Sequence, residues 1–279
     1  MSINLDNVLV KKFENEAIQA FQDSGKLRNT VRIRDAKGAQ KVQFQVLGAV
    51  TTQERTAIQT PIPLADATHT PATATVKNFV VSEMTDIFLN NQVGFDERQE
   101  LVESFGMSMG RRVDQAIIDA LDAHSFTKTV AKNISGSNDN LNVAGFVEAA
   151  RLLGSDVPDE MRHILCHDDG YYHFLQESDV KDFDINFKKP LSDGRQPSYM
   201  GFDIHKIGDR EEGGLALSTN DRTNYAWQKM AVGLAMNMEP KITIDWEPSY
   251  GAHRVSGYLS LGAVVIQDSG VVKLTTDES

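Results

Sequence analysis

The longest regular pattern of apolar residues lies in the middle of the chain. Apolar side chains recur there at three- and four-residue steps, which is the period of one face of an α-helix. The main positions of this stripe are Leu101, Phe105, Met109, Val113, Ile117 and Leu121. Asp96 can cap the start of the helix, with Gln99 three residues later. The pattern therefore predicts one helix over 96–124, roughly 40 Å long at about 1.5 Å per residue.

The other face of this predicted helix is charged, and we expect it to lie in solvent. Its charged residues are Glu97, Arg98, Glu100, Glu103, Arg111, Arg112, Asp114 and Asp119. A coiled coil would need at least about three heptads with apolar a and d positions. Gly106 and Gly110 instead allow a neighbouring backbone to approach closely. We therefore predict a scaffold helix that packs against a sheet.

A second amphipathic pattern stands near the N-terminus. Its apolar residues follow one another at a four-residue spacing, at Leu5, Leu9, Phe13, Ala17 and Phe21. Gly25 is a suitable end for this helix, because glycine readily adopts the left-handed conformation found after many helices. A single apolar stripe needs a partner surface, so we interpret residues 1–35 as an N-terminal arm.

A strand pattern follows the arm. Val42, Phe44 and Val46 alternate with polar residues, which places them on one face of a predicted strand. A second extended segment is expected at 73–81, and the residues between the two are rich in Thr, Ala, Gln and Pro. So long an irregular connection is uncommon inside a compact domain unless it acts outside that domain. We therefore predict a protruding two-stranded excursion over 36–82.

The remaining sequence is typical of a mixed α/β region that ends in strands. Asn142 can cap a helix that stops at Gly154, and Asp168 can cap a second helix after a buried strand. Strands are predicted at 164–166, 202–207, 215–218, 241–247, 258–267 and 270–276. In the perfectly alternating segment 241–247, we expect Ile242, Ile244 and Trp246 to face a core and the polar residues to face solvent.

Composition narrows the function classes. The chain has 279 residues, 41% of them hydrophobic, and can therefore bury a core without disulfides or structural metal. A net charge of −11 argues against a protein that mainly grips phosphate backbones. No apolar stretch approaches the roughly 20 residues that cross a bilayer, and we see no export signal. Because Cys166 is the single cysteine, no intrachain disulfide is expected.

One cluster, residues 163–169, contains several chemically versatile side chains. Cys166 and His167 cannot form a nucleophile pair, because adjacent residues of a strand point to opposite faces. His163, Cys166 and His173 lack the spacing of structural zinc sites. A calcium-like start at 182–186 lacks the glycine and glutamate of a calcium loop. We therefore interpret Cys166 as a buried thiol beside a helix cap, and predict no catalytic residues, metal or cofactor.

The order of these elements resembles the tailed-bacteriophage major capsid protein, the Hong Kong 97 type of shell subunit. The matching segments are 40–81 for an extended loop, 95–124 for a spine helix and 143–232 for an α/β lobe. The resemblance implies an α+β fold with an N-terminal arm, an extended β-hairpin loop, a spine helix in a peripheral domain and an α/β axial domain. The implied divisions are arm 1–35, extended loop 36–82, peripheral domain 83–140 with 233–258, and axial domain 141–232 with 259–279.

The resemblance also implies a function without enzyme activity. Such a subunit assembles with itself, as hexamers and pentamers, into the icosahedral head shell that encloses double-stranded DNA. The implied partners are a scaffolding protein and a portal, without a membrane, and the implied location is the virion after assembly in the bacterial cytoplasm. We expect inter-subunit contacts from the arm and loop, at Leu9, Phe13, Phe21, Glu54, Arg55, Ile58, Ile62 and His69.

Two other interpretations remain open at this point. An encapsulin, the shell protein of a bacterial compartment, resembles the same subunit and would enclose enzymes instead of DNA. An oligomeric cytosolic enzyme that uses residues 163–169 is the third interpretation.

Some relatives lock their shells through a Lys–Asn isopeptide bond, with the lysine in the extended loop. No lysine occurs between Lys41 and Lys77 in this sequence. We therefore predict that assembled shells dissociate to a single monomer band on denaturing electrophoresis. A ladder of covalent multimers would contradict this prediction.

Overall fold

The computed structural model describes residues 24–54, 62, 64–65, 67–88, 97–154, 157–181 and 198–278. Several sequence predictions lie outside these residues. They are the helix over 5–21 with Leu9, Phe13 and Phe21, the loop residues Arg55 and Ile58, the cap Asp96 and the calcium-like segment 182–186. None of the helices in the described part is long and apolar enough to cross a membrane.

The long helix is observed as α1, Glu97–Asp122. Phe105, Met109, Val113, Ile117 and Leu121 are buried along one face, and Leu101 packs half-buried against the same core. Gly110 meets a neighbouring backbone as expected, since a Cβ built there would lie 2.8 Å from the Gly25 nitrogen. Gly106 has no such neighbour in the described part of the chain.

The charged face of α1 is not solvated throughout. Asp114, predicted to lie in solvent, is fully buried. Its carboxylate accepts hydrogen bonds from the backbone nitrogens of Lys26, at 2.9 Å, and Leu27, at 2.8 Å. The Arg210 guanidinium donates a third at 2.9 Å. Asp114 therefore fastens the chain around residue 26 and the loop around residue 210 to the same point of the helix.

A four-stranded sheet packs against α1. Its strands, in spatial order, are β1 (Arg32–Asp35), β11 (Val232–Glu247), β12 (Ala252–Val265) and β4 (Lys77–Asp86). Strand β1 is parallel to β11, and the other neighbours are antiparallel. Leu261, Val255 and Leu259 of β12 pack with the apolar face of α1 in one hydrophobic core, the main core.

This sheet corrects three predicted boundaries. Residues 24–35 belong to the body and not to a free arm, since Leu27 and Val31 are buried in the main core and β1 is part of the sheet. Strand β4 is the edge strand of this sheet beside β12, although it begins within the predicted loop 36–82. The predicted domain boundary after residue 258 falls in the middle of β12, which pairs with β4 and β11 on both sides of that point.

A separate hairpin joins β2 (Lys41–Leu47) to β3 (His69–Thr75), with Lys41 opposite Thr75 and Leu47 opposite His69. The alternation predicted for the first strand is observed, because Val42 and Phe44 are buried while their polar neighbours are exposed. Both contact Ala74 and Ala235 in a small core of their own. The base of the hairpin is thus packed on the four-stranded sheet.

The second large sheet builds the α/β lobe. Its described strands are, in spatial order, β5 (Thr129–Val130), β13 (Val271–Asp277), β10 (Asp221–Gln228), β6 (Arg162–His167), β8 (Phe202–Ile207) and β7 (Ser198–Tyr199), with β9 (Leu217–Ser218) paired to β10. Strand β9 is shorter than the predicted 215–218. Strand β5, predicted in the peripheral domain, pairs with β13 and so belongs to this sheet.

Three helices cover one face of this sheet, and the main core covers the other. The helices are α2 (Val143–Leu153), α3 (Asp168–Gln176) and the short α4 (Ser178–Lys181). Ile164 and Cys166 of β6 point towards the helices, into a second core that includes Phe146 and Phe174, the helical core. Leu165 between them lies in the main core with the apolar face of α1. The sheet therefore separates the helical core from the main core.

The N-cap of α2 is the residue predicted from the sequence, and the N-cap of α3 is not. The Asn142 side chain accepts a hydrogen bond from the Gly145 backbone nitrogen at 2.9 Å, as expected for an N-cap. Asp168 is the first residue of α3 and not its cap. His167 takes the cap position, and its Nδ1 accepts a hydrogen bond from the Asp169 nitrogen at 3.4 Å.

We predict that Asp114→Asn destabilises the subunit by roughly 3–5 kcal/mol, the usual cost of removing one partner of a buried ion pair. The amide is neutral and has a single oxygen, so it cannot offset the Arg210 charge or accept hydrogen bonds from all three donors. Urea unfolding followed by circular dichroism measures the loss. The control is Asp119→Asn, on the exposed side of the same helix, which should change stability by less than about 0.5 kcal/mol. Equal effects of the two substitutions would contradict the prediction.

Candidate assembly surfaces

The excursion beyond the hairpin base carries apolar side chains that the described subunit does not cover. Ile62 is 76% exposed and Leu64 is 89% exposed. Glu54 and His69, which were predicted in inter-subunit contacts, are exposed as well. The packed base holds in place the two strands from which this excursion leaves.

Exposed apolar side chains also collect at one end of the four-stranded sheet. The distal apolar patch consists of Ile244 and Trp246, which lie two residues apart on one face of β11. Trp246 lies opposite His253 of β12, whereas Met84, opposite Arg254, is exposed on the other face of the sheet. The Trp246 ring meets the His253 ring edge to face, with centroids 4.9 Å apart.

The distal apolar patch overturns part of the prediction for 241–247. Ile242 does pack against the main core. Ile244 and Trp246, expected to face that core too, remain 48% and 47% exposed. Alternation showed which face of the strand is apolar, but it did not show how far along the strand the core extends.

A groove of about 460 Å³ lies between α1 and strands β4 and β12. Phe79, Val81 and Met109 form its apolar lining. At its edge the Arg112 guanidinium carbon lies 4.2 Å from the centre of the Phe79 ring, and a guanidinium nitrogen lies 3.6 Å from Glu212. Arg112, expected in solvent, is thus half-buried. An apolar centre with a charged rim is a common composition of protein interfaces.

The residues at 163–169 do not form a nucleophilic centre. The Cys166 thiol is fully buried in the helical core, and burial raises its pKa to about 12, so it is protonated at neutral pH. His173 instead approaches the Leu141 carbonyl, at 3.2 Å, and Asp139. In the described part of the chain, His163, Cys166 and His173 are not brought together as a ligand group.

His163 is buried and pairs with a half-buried histidine of the neighbouring strand. Its Nδ1 lies 3.2 Å from Nε2 of His205. Burial, together with His205 and Lys229 and against the opposing effect of Asp203, lowers the pKa of His163 to about 4. Burial also lowers the pKa of His205. Both imidazoles are therefore neutral at pH 7.

A family described as phage capsid protein matches residues 5–278. The chain belongs to the phage capsid protein family. This is a family of structural proteins, and the match supports a major capsid protein and does not favour the encapsulin interpretation. No curated protein matches the chain.

Solved phage capsids share the fold of this family member at low sequence identity. The capsid of cyanophage P-SCSP1u matches with a TM-score of 0.78 and 16% identity, over 100% of this chain and 96% of that one. The acid-stable capsid of Helicobacter pylori bacteriophage KHP30 matches with a TM-score of 0.79 and 14% identity, over 100% of both chains. The capsid of cyanophage Pam1 matches with a TM-score of 0.72 and 12% identity, over 99% and 98%. The fold class predicted from the sequence, that of the Hong Kong 97 type, is confirmed.

The histidine pair predicts how the stability of this capsid protein depends on pH. An unfolded histidine has a pKa near about 6.5, whereas His163 in the folded chain has a pKa of about 4. Between these values the unfolded state binds more protons, so stability falls as the pH falls through this window. Urea midpoints at several pH values from 7.5 to about 4 measure the slope.

The variant His163→Gln should flatten this slope, because the buried member of the pair no longer titrates. The charged groups that face the pair are Asp203, Lys229, Asp114 and Lys26, and the variant leaves them unchanged. The control is His69→Gln in the exposed hairpin strand, which should keep the wild-type slope. A wild-type slope in His163→Gln would show that the pair is not responsible.

Proposed function

We propose that this chain assembles with copies of itself, as hexamers and pentamers, into the icosahedral head shell of a tailed bacteriophage, with double-stranded DNA inside. The observation that carries the proposal is the exposure of Ile62 and Leu64 on a hairpin whose base is packed. Family membership and the likeness to capsids support it.

The apolar area that these side chains leave in water is the source of the assembly energy. Burying apolar surface stabilises an assembly by roughly 25 cal/mol per Å². The hairpin that carries Ile62 and Leu64 packs near Gly233 at the start of β11, whereas the distal apolar patch lies towards the other end of that strand. A subunit with separate apolar contacts can bind several neighbours at once, which a closed shell requires.

The hairpin is suited to reach a neighbour. Phe44 is buried against Gly233, where a Cβ would lie 2.8 Å from the Phe44 ring. This close packing fixes the direction in which the strands leave the body. Binding therefore costs less conformational entropy than it would for a free segment. We propose that the excursion docks on an adjacent subunit through Ile62 and Leu64, with Glu54 and His69 beside them.

The other predicted partners follow from the same function. We propose a scaffolding protein and a portal as partners, assembly in the bacterial cytoplasm and a final location in the virion. The net charge of −11 suits a container that holds DNA without binding it tightly. We retain the division into a peripheral and an axial domain, with the boundary in the C-terminal part moved to the end of β12.

The test is the double variant Ile62→Ser and Leu64→Ser. Both side chains are exposed, so the subunit should keep its far-ultraviolet circular dichroism and its urea midpoint. Shell yield, counted by electron microscopy, should fall at least about tenfold, because each contact loses apolar burial worth roughly 25 cal/mol per Å² and a shell repeats that contact many times. The control is Gln53→Ala, at an exposed polar position of the same excursion, which should assemble normally. Wild-type yields from the double variant would refute the proposed docking.

A further inference from the structure

A group of ionisable side chains lies at the C-terminal ends of strands β6 and β8 of the α/β sheet. Its centre is His167, which is buried. Its Nδ1 lies 3.0 Å from a carboxylate oxygen of Glu278 and 3.7 Å from one of Asp169. Its Nε2 lies 3.3 Å from a carboxylate oxygen of Asp209. Three carboxylates thus surround one imidazole.

The imidazole is poorly satisfied by these neighbours. Nε2 is buried and, among the described residues, makes no hydrogen bond of acceptable geometry. Nδ1 accepts only the long bond from the Asp169 backbone nitrogen. In that role Nδ1 presents a lone pair, and the nearby Glu278 oxygen presents another. An ion at Nδ1 would take the place of this long bond and lie between the imidazole and the Glu278 carboxylate, whose nearest atoms are 3.0 Å apart.

The net negative charge around His167 also favours binding of a cation. Asp169, Asp209 and Glu278 carry three negative charges, and Arg222 supplies one positive charge. The Arg222 guanidinium holds Glu278 at 2.9 Å and Asp209 at 3.0 Å. It therefore orients two carboxylates but leaves the group with an excess of negative charge. Arrangements in which a second group orients the ligands are typical of metal sites.

We infer that His167, Asp169 and Glu278 bind a divalent metal ion, with Asp209 beside them. Their candidate ligand atoms all lie within 4.8 Å of one another. Ligands about 2.1 Å from a tetrahedral ion are roughly 3.4 Å apart, and the distances of 3.0 and 3.7 Å from Nδ1 lie on either side of this value. One imidazole with carboxylates favours Zn²⁺ or Mn²⁺ over Ca²⁺.

The ion would have a structural consequence. Glu278 follows β13, and His167 ends β6, on the other side of the intervening strand β10. An ion held by both would join the end of β13 to the end of β6 across the sheet. Because an ion that binds only the folded state stabilises it by mass action, it should raise the melting temperature of the full-length protein.

The first test is calorimetric titration of the dialysed full-length protein with Zn²⁺ and with Mn²⁺. We expect saturable binding of one ion per chain. The variant Asp169→Asn should weaken binding at least about tenfold, and since Asp169 is exposed the variant should fold. The matched control is Asp277→Asn, which removes the neighbouring carboxylate that pairs with Lys132 and should bind as wild type does. Absence of saturable binding, or equal affinity in Asp169→Asn and wild type, would overturn the inference.

The second test identifies the ligands. Co²⁺ substituted for the ion should give a visible spectrum typical of mixed nitrogen and oxygen ligands in a low-coordinate site, and this spectrum should be lost in His167→Gln. If that variant does not fold, Glu278→Gln replaces it. A spectrum that survives loss of these side chains would place the ion elsewhere and overturn the assignment.

Discussion

The architecture depends on the hydrogen bonds made to one buried carboxylate of the long helix, that of Asp114. Two of its donors are backbone nitrogens near residue 26, and the third is the Arg210 guanidinium. A buried charge without these donors would be costly, so the helix, the start of the chain and the loop before β9 have to be in place together. The Trp227 indole adds to this junction by donating to the Thr30 carbonyl at 3.0 Å.

Much of the fold could be predicted because its signals are local and repeated. The stripe of α1 spans 26 residues, and the alternation at Val42 and Phe44 marks a strand with one buried face. The position of Asp114 could not be predicted in this way. Its donors lie 87 to 96 residues away along the chain, and a charged residue on a helical wheel gives no sign that a distant backbone will cover it.

The candidate surfaces show the same division between local and distant information. Exposure of Ile62 agrees with a loop that was expected to act outside its own domain, although the sequence did not show that the base of the hairpin would be packed. The exposure of Trp246 depends on where the helix and the core end, which alternation does not encode. Two of the three carboxylates around His167, those of Glu278 and Asp209, come from the residue after β13 and from the loop after β8, so no spacing in the sequence connects them with His167.

The contact between Gly25 and Gly110 limits how the chain can vary in length. A side chain at Gly25 would place its Cβ 2.4 Å from the Gly110 carbonyl oxygen, so the two backbones touch at one fixed point. Arg32 is then held opposite Gly233 at the start of the parallel pairing. The six residues between these points form a spacer of fixed length. Insertions or deletions within it would break one of the two contacts, and we expect length variation among related subunits to be absorbed elsewhere.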